Sequence, residues 1–219
     1  MSPELSRLLP PLLAIAGMAA FFGLIIWLAV TSAKKTAVRF QQLATNLGLT
    51  LEPARVTLGI FHSAPRASGE RRGKKMELFT YTTGSGKSRT SWCAISAQPR
   101  ADGGLTFGLS RQGFGSKIAQ LFGSREIQVG DPAFDDTWFI QTNRPDFFGA
   151  ALLPEMRARL THATRNASRG GSFKLEHGKV VYAEVGSFHD EMRCARFESV
   201  AEVICDLADV AEVHANPGR

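Results

Sequence analysis

Residues 84–88 read GSGKS, a combination of glycine, lysine and serine that also occurs at the end of phosphate-binding loops. In such a loop the glycines let backbone amides face the phosphate, and the lysine supplies positive charge. Here Tyr81 stands where the first required glycine belongs, and the following RTSWCAIS is typical of a strand, whereas phosphate binding needs a helix N-terminus there. We therefore predict that this segment is a hairpin turn.

The histidines and cysteines are not spaced like the ligands of a metal site. The five histidines occupy positions 62, 162, 177, 189 and 214, with no H-x-x-x-H or H-E-x-x-H spacing. Cys93, Cys194 and Cys205 contain no C-x-x-C pair, and their odd number excludes a fully paired set of disulfides within the chain. We predict no metal and no cofactor. Each cysteine is interpreted as a small buried hydrophobe in a reducing compartment.

His189, Asp190 and Glu191 form a run that could join a distant serine in a hydrolytic triad. The chain contains no G-x-S-x-G elbow to present such a serine. We interpret the run as surface residues and predict no catalytic residues. An enzyme whose active site is assembled from residues without a linear signal is the alternative.

Positive and negative charges are concentrated in different parts of the chain. Residues 55–117 hold eleven Arg or Lys against three carboxylates, a net charge of +8, whereas residues 198–212 hold five carboxylates and no Arg or Lys. Basic residues in two predicted turns are candidates for contact with anionic lipid or with a protein partner. They are Arg71, Arg72, Lys74, Lys75, Lys87 and Arg89. Solvated turns that keep sheet edges from pairing are the alternative.

Nucleic acid is not an expected partner of this basic block. The block is accompanied by no helix-turn-helix, RNA-binding aromatic motif or zinc finger.

An apolar segment over residues 8–30 contains no charged side chain and follows a short tail, residues 1–7. A helix of this length, at about 1.5 Å per residue, covers the roughly 30 Å hydrocarbon core of a bilayer. We predict a transmembrane helix. A cleavable signal peptide is the alternative, because Thr31, Ser32 and Ala33 offer small residues for a peptidase.

The basic residues around this segment predict its orientation. Arg7 precedes it, whereas Lys34, Lys35 and Arg39 follow it, so the positive side is C-terminal and the following domain is expected in the cytoplasm. The protein would then lie in a plasma membrane or bacterial inner membrane. Small residues at Ala16, Ala19, Ala20 and Gly23 also allow a homodimer through this helix, although such residues are common in membrane helices.

The remaining chain predicts a juxtamembrane helix over residues 31–48, a soluble domain over residues 49–214 and a tail over residues 215–219. Val38, Phe40 and Leu43 have helical spacing, and Gly48 is the expected end of the juxtamembrane helix. Short aromatic and β-branched runs then predict strands, which are MELFTYTT, SWCAISAQ and LTFGLS.

The second half predicts more helices. GSKIAQLFG is expected to form a brief helix, and REIQVGDPAFDDTWFIQT to form two strands joined by a turn at residues 130–132. Pro145 is expected to open a helix and Pro154 to break it. The following EMRARLTHATR is again predicted to be helical. SFKLEHGKVVYAEV is predicted to form a hairpin that turns at residues 177–178. Ser199 and Glu202 have capping-box spacing and predict the start of the last helix.

That last helix is amphipathic and is expected to cover a sheet. Its apolar stripe comprises Val200, Val203, Ile204, Leu207, Val210, Ala211 and Val213. The order of elements lacks regular βαβ alternation, so we predict an α+β fold with a mainly antiparallel sheet.

Residues 134–160 resemble a group of bacterial membrane-anchored proteins that carry a domain of unknown function. The matching pattern is a GD-x-x-FD strand entry and a Leu-x-Pro-Glu helix restart. It is met by Gly130, Asp131, Phe134, Asp135, Leu153, Pro154 and Glu155. The resemblance implies no catalytic residues. By their chemistry, Phe134 is expected to fill the core and Asp135 to cap nearby backbone amides.

An anchor, a cored domain and no reactive constellation together favour a non-catalytic module that holds a protein partner at a membrane. A domain that binds the anionic surface of the membrane is the alternative.

A reporter fused to the C-terminus is expected to report the cytoplasm, because the basic residues follow the apolar segment. Thiol labelling of intact cells is expected to miss all three cysteines. Periplasmic reporter activity would reverse the orientation, and a mature N-terminus near Lys34 would establish the signal-peptide alternative.

Overall fold

The computed structural model describes residues 3–53, 56–57, 61–62, 64–112, 126–167, 171–216 and 218. Helix α1 spans Pro3–Asn46 without interruption, so one helix runs through both the predicted transmembrane segment and the predicted juxtamembrane helix. The predicted brief helix in GSKIAQLFG lies outside the described residues.

The last turns of α1 belong to the core of the domain. Phe40, Leu43, Ala44 and Leu47 are buried, at the helical spacing that places side chains on one face. Gly48 ends the helix as predicted: its φ is +71°, and the N–H of the following Leu49 donates to the carbonyl of Ala44 at 2.8 Å.

The N-terminal part of α1 has the opposite character. Within the described residues, one helix is long and apolar enough to cross a membrane by length and composition, over Ala20–Asn46, and its apolar window is not buried in the protein. Phe21, Phe22, Ile26 and Trp27 are exposed. The same helix is therefore apolar outside the domain and amphipathic where it enters it.

Antiparallel pairing connects the described strands. The strands are β1 Thr50–Leu51, β2 Val56–Thr57, β3 Phe61–His62, β4 Arg66–Arg71, β5 Lys74–Thr83, β6 Thr90–Gln98, β7 Phe107–Arg111, β8 Glu126–Ile127, β9 Trp138–Thr142, β10 Ser172–Glu176 and β11 Lys179–Val185. Among the described residues, nine strands form one sheet in the order β1-β4-β5-β6-β11-β10-β7-β9-β8, while β2 pairs with β3. The predicted α+β fold with an antiparallel sheet is confirmed.

Two predicted hairpin turns are confirmed. Residues 177–178 join β10 to β11 with φ of +52° and +74°. The GSGKS segment lies between β5 and β6, where a Cβ on Gly84 would lie 2.4 Å from the carbonyl oxygen of Ser88. Only glycine fits at this position. The tight turn therefore accounts for Gly84, and a phosphate-binding role is not needed to explain it.

The other helices are α2 Pro132–Asp135, α3 Pro145–Ala151, α4 Pro154–Ala163 and α5 Glu191–Ala215. Pro145 opens α3 as predicted, and α3 ends before Pro154 as predicted, with Pro154 as the first residue of α4. The turn expected at residues 130–132 is extended by α2, because Asp135 accepts hydrogen bonds from the backbone N–H groups of Val129, Gly130 and Asp131. Phe134 is buried beside it, so both expected roles are confirmed.

The predicted start of the last helix is wrong. Helix α5 begins at Glu191, and the Asp190 carboxylate caps it by accepting from the N–H of Met192 at 3.0 Å. Ser199 lies inside the helix, where its hydroxyl contacts the carbonyl of Ala195. The apolar stripe is otherwise correct up to Ala211, but Val213 is exposed.

The core lies between the helices and one face of the sheet. Leu78, Ile95, Tyr182, Phe173 and Leu109 form a cross-strand row on that face, and all are buried. The Tyr182 ring packs on Phe197 of α5, and Phe107 stacks on Phe148 of α3. On the opposite face, Phe79, Trp92 and Phe139 are half-buried, and Tyr81 is 37% exposed.

Helices α1 and α5 lie parallel where they touch, and this gives the domain two distinct ends. Arg39 of α1 lies beside Glu191 at the start of α5, with 3.9 Å between Nη2 and Oε2. Seven residues farther along both helices, the Asn46 amide donates to the Glu198 carboxylate at 2.7 Å. Strand β11 therefore runs toward the end where α1 enters, because residues 186–190 connect it to the start of α5.

We call this end the proximal end; it contains residues 186–190 and the β5–β6 turn at residues 84–89. The turn lies there because the N–H of Gly186 donates to the carbonyl of Ser91, near the start of β6, at 2.9 Å. The opposite end, the distal end, contains the β4–β5 turn at residues 72–73 and residues 202–212 of α5.

Replacing Phe40 by Ala is expected to lower the free energy of unfolding by about 3 to 4 kcal/mol, because it removes a buried ring that contacts Phe188. Val38→Ala is the matched control, since this side chain is 62% exposed. Denaturant unfolding of the full chain in a neutral detergent measures both variants. Equal losses would show that the end of α1 is not part of the domain core.

Candidate functional site

The predicted basic turn and the predicted acidic helix contact each other at the distal end. The Arg71 guanidinium donates to Glu202 at 2.8 Å through Nε. Arg72 donates to Asp206 at 2.8 Å and to Asp209 at 2.7 Å. The turn can approach α5 this closely because Arg72 and Gly73 both adopt positive φ, which reverses the chain within two residues.

Lys74 is the most buried cation of this contact, with 3% of its side chain exposed. Its ammonium lies 2.7 Å from Asp209 and 3.0 Å from Glu212. Burial alone would lower the pKa of Lys74, but the hydrogen bonds to both carboxylates outweigh it and raise the pKa. Burial would raise the pKa of Glu212, but the Arg100 N–H and Lys74 hold it below its ordinary value.

These contacts, together with Arg159 of α4 at 2.8 Å from Asp206, define a distal ion-pair cluster of four cations and four carboxylates, which comprises Arg71, Arg72, Lys74, Arg159, Glu202, Asp206, Asp209 and Glu212. The sequence predicted two surfaces of opposite charge that would be free for docking. In the structure the two surfaces contact each other, so much of their charge is neutralised within the chain. The physical reason is the antiparallel course of β5 and α5, which brings the turn before β5 against the C-terminal half of α5.

The other three candidate basic residues are placed differently. Lys75 is exposed on β5 at the distal end, next to the cluster but pointing to the other face of the sheet. Lys87 and Arg89 are exposed in the proximal turn. In the described part of the chain, no ion pair is formed by these three. Their contact with lipid or with a protein partner stays a prediction.

A second charged cluster, at the start of α5, was missed by sequence reasoning. Glu184 of β11 is fully buried, and it accepts from Arg193 Nε at 2.5 Å and from Arg196 Nε at 2.9 Å. The Tyr182 hydroxyl donates to it at 2.9 Å. Burial and the neighbouring carboxylate raise the pKa of Tyr182 well above its usual range, so this phenol stays protonated.

The signal for this cluster was present but ambiguous. Glu184 lies in a run of apolar residues, where a carboxylate must have buried partners. Arg193 and Arg196 lie three residues apart, which places them on one helix face. These arginines were not paired with Glu184 in the sequence analysis, because the helix was predicted to begin only at Ser199.

A cleft of about 340 Å³ lies beside this second cluster, between the end of α4 and the start of α5. Its lining includes the ionisable residues His162, Arg165, Asp190, Arg193 and Arg196. Asn166 also lines it, with a φ of +60° that turns its carbonyl oxygen toward Arg196 Nη1 at 3.1 Å.

The cysteines are poor nucleophiles in this environment. Burial raises the pKa of Cys93 to about 12 and that of Cys205 to about 11, and it also raises the pKa of Cys194. A thiol needs a lowered pKa to react readily near neutral pH. Cys93 and Cys205 are fully buried, as the interpretation of small hydrophobes requires, whereas Cys194 is only half-buried because it lies at the edge of the core on α5.

The predicted run at His189 has one chemically suggestive contact. The Ser187 hydroxyl lies 2.6 Å from His189 Nδ1, and both residues are on the same short loop. Asp190 does not orient this imidazole, because its carboxylate caps α5. Across the described ranges, no group of three or more His, Cys, Asp or Glu residues could hold a metal ion.

Replacing Lys74 by Gln is expected to lower the free energy of unfolding by about 3 kcal/mol, because Asp209 and Glu212 would lose their buried cation. Lys75→Gln is the charge-matched control on the next residue of the same strand, and little change is expected from it. Thermal unfolding of the full chain measures both. If the two variants unfold alike, the distal ion-pair cluster does not stabilise the domain.

Comparisons with known proteins add little to this geometry. No family model matches the chain, and no curated protein matches it. The crystal structure of the mycobacterial trehalose monomycolate transport factor A, TtfA, is similar with 12% identity and a TM-score of 0.48, over 80% of this chain and 93% of that chain. A likeness at this level carries no argument about what this chain binds or does.

Proposed function

We propose that this chain is a single-pass membrane protein that holds a non-catalytic interaction domain in a fixed orientation at the cytoplasmic surface of a bilayer. The observation that carries the proposal is the continuity of α1. By length and composition α1 contains a candidate membrane span over Ala20–Asn46 whose apolar window is not buried, and its last turns are buried in the domain core. A rigid helix without a linker transmits its orientation to the domain.

The orientation is supported by the charges on α1. Lys34 and Lys35 are exposed directly after the apolar segment, and Arg39 follows one helical turn later. Basic residues that flank a membrane helix favour the cytoplasmic side. The half-buried and buried cysteines of the domain suit that reducing compartment as well.

A protein partner needs a surface, and the neutralised distal ion-pair cluster is a poor one. The partly exposed aromatic side chains on the opposite face of the sheet offer a better one. Tyr81 and Trp92 are cross-strand neighbours whose rings stack with centroids 6.0 Å apart, and Phe79 adjoins Tyr81. Aromatic residues are enriched at the centres of protein interfaces.

Binding of anionic lipid is a second candidate function, favoured by the position of Lys87 and Arg89 at the proximal end. Arg39 lies nine residues beyond Val30, or about 14 Å along α1. The distal cations lie about 17 Å farther, because Glu202 is eleven residues beyond Glu191. For a helix along the membrane normal, the distal end is thus several Debye lengths of about 8 Å from the leaflet.

These two distances divide the six candidate basic residues into a distal group and a proximal group. Arg71, Arg72, Lys74 and Lys75 are too far from the leaflet to be attracted at physiological salt, whereas a strand turn that projects from the proximal end can reach the headgroups. Tyr81 and Trp92 lie directly behind that turn, and such side chains favour the membrane interface.

A photoreactive amino acid at position 81 discriminates between the two functions in native membranes. The interaction module predicts specific protein adducts at this position, because the aromatic face is the docking surface. The lipid-binding domain predicts lipid adducts that disappear when Lys87 and Arg89 are replaced by Glu. The same probe at exposed Leu153, on the helical side of the domain, is the control. Absence of protein adducts above that control contradicts the interaction module.

A further inference from the structure

The cleft between α4 and α5 has an excess of positive charge that the protein itself does not neutralise. Arg193 and Arg196 are each 8% exposed, and both rely on the single carboxylate of Glu184. One buried carboxylate balances only one of the two guanidiniums. A buried charge without a partner is costly, so an anion that enters the adjacent cleft would be bound strongly.

The other charged groups around the cleft do not remove this excess. Arg165 is exposed at the end of α4 and has no ion-pair partner in the part of the chain that the structure describes. Asp190 is the acidic member of the lining, and its charge offsets that of Arg165. Asp190 is also bound to the N-terminal amides of α5, whose helix dipole adds positive potential at this end.

The arginines also have unused hydrogen-bond donors. A guanidinium has five N–H groups. Arg196 uses three of them, two toward Glu184 and one toward the carbonyl of Asn166. Arg193 likewise uses three, toward Glu184, Ser187 and Val185. Among the described residues, each buried arginine therefore retains two donors without a partner, and Arg165 retains all five of its side-chain donors.

We propose that this cleft binds a phosphate group, held by Arg165, Arg193 and Arg196. A phosphate presents several charged oxygens in different directions, which matches guanidiniums that approach from two helices better than a carboxylate with two oxygens does. The fixed arginines are preorganised, because Glu184 and backbone carbonyls already hold them. The cleft is at the proximal end, so either a soluble phosphate compound or a phospholipid headgroup can supply the group.

Binding of inorganic phosphate to the full chain tests the proposal. Wild-type protein in a neutral detergent is expected to show a rise in thermal midpoint as phosphate replaces chloride at constant ionic strength. Arg165→Gln is expected to weaken the phosphate affinity about tenfold without altering the midpoint in chloride, because its side chain is exposed. Arg144→Gln removes an equally exposed charge far from the cleft and is expected to bind as wild type does.

The source of the phosphate group is distinguished by reconstitution into vesicles. Phosphatidic acid added to phosphatidylcholine vesicles is expected to lower the apparent affinity for free phosphate in wild-type protein if a headgroup occupies the cleft. An unchanged affinity assigns the cleft to a soluble phosphate compound. The proposal is overturned if phosphate stabilises wild type no more than chloride, or if Arg165→Gln and Arg144→Gln bind phosphate equally well. Neither result bears on the anchored interaction domain, which does not depend on this cleft.

Discussion

The packing of the last turns of α1 against α5 is the contact on which the remaining arrangement depends. Phe40 contacts Phe188, and the two helices run parallel from Arg39 to Asn46. Because α1 is unbroken, its direction outside the domain is the direction in which it enters the core. A flexible linker at this point would leave the domain free to rotate relative to the apolar part of α1. Neither end of the domain would then lie at a fixed distance from that part. With a continuous helix, each polar surface acquires a definite distance from the apolar segment.

The charged residues of α5 belong to two groups, which differ in how far the charges within each group are balanced. At the distal end most of the ion pairs are partly exposed, and the buried Lys74 ammonium is paired with two carboxylates. At the proximal end, a single deeply buried Glu184 has two arginines. Ion pairs of this kind contribute modestly when complete, and cost much when one partner is missing. The distal group is balanced within the chain, whereas the proximal group is not.

Local patterns in the sequence were sufficient for most of the fold. Pro145, Pro154 and Gly48 act through their own backbone restrictions, which tertiary contacts do not change, and the alternating burial along β5 and β10 follows from a sheet whose helix-covered face is the more deeply buried. The start of α5 was misplaced because its first turns contain arginines and a cysteine instead of an apolar stripe. Their burial depends on Glu184, which comes from another element. The distal ion-pair cluster was beyond sequence reasoning for the same reason: charge composition shows that opposite charges exist, but not that β5 places them against α5.

The unequal balance of the two clusters bears on where a ligand would act. The distal ion-pair cluster is neutral and does not attract a further ion, because each carboxylate there already faces a cation. The proximal arginines retain donors and surplus charge beside a cleft, at the end of the domain where α1 enters. Lys87 and Arg89 extend positive potential across the same end. An anion is therefore attracted to the end of the domain that adjoins the candidate membrane span, and a ligand bound between α4 and α5 would contact the helix that packs directly on α1.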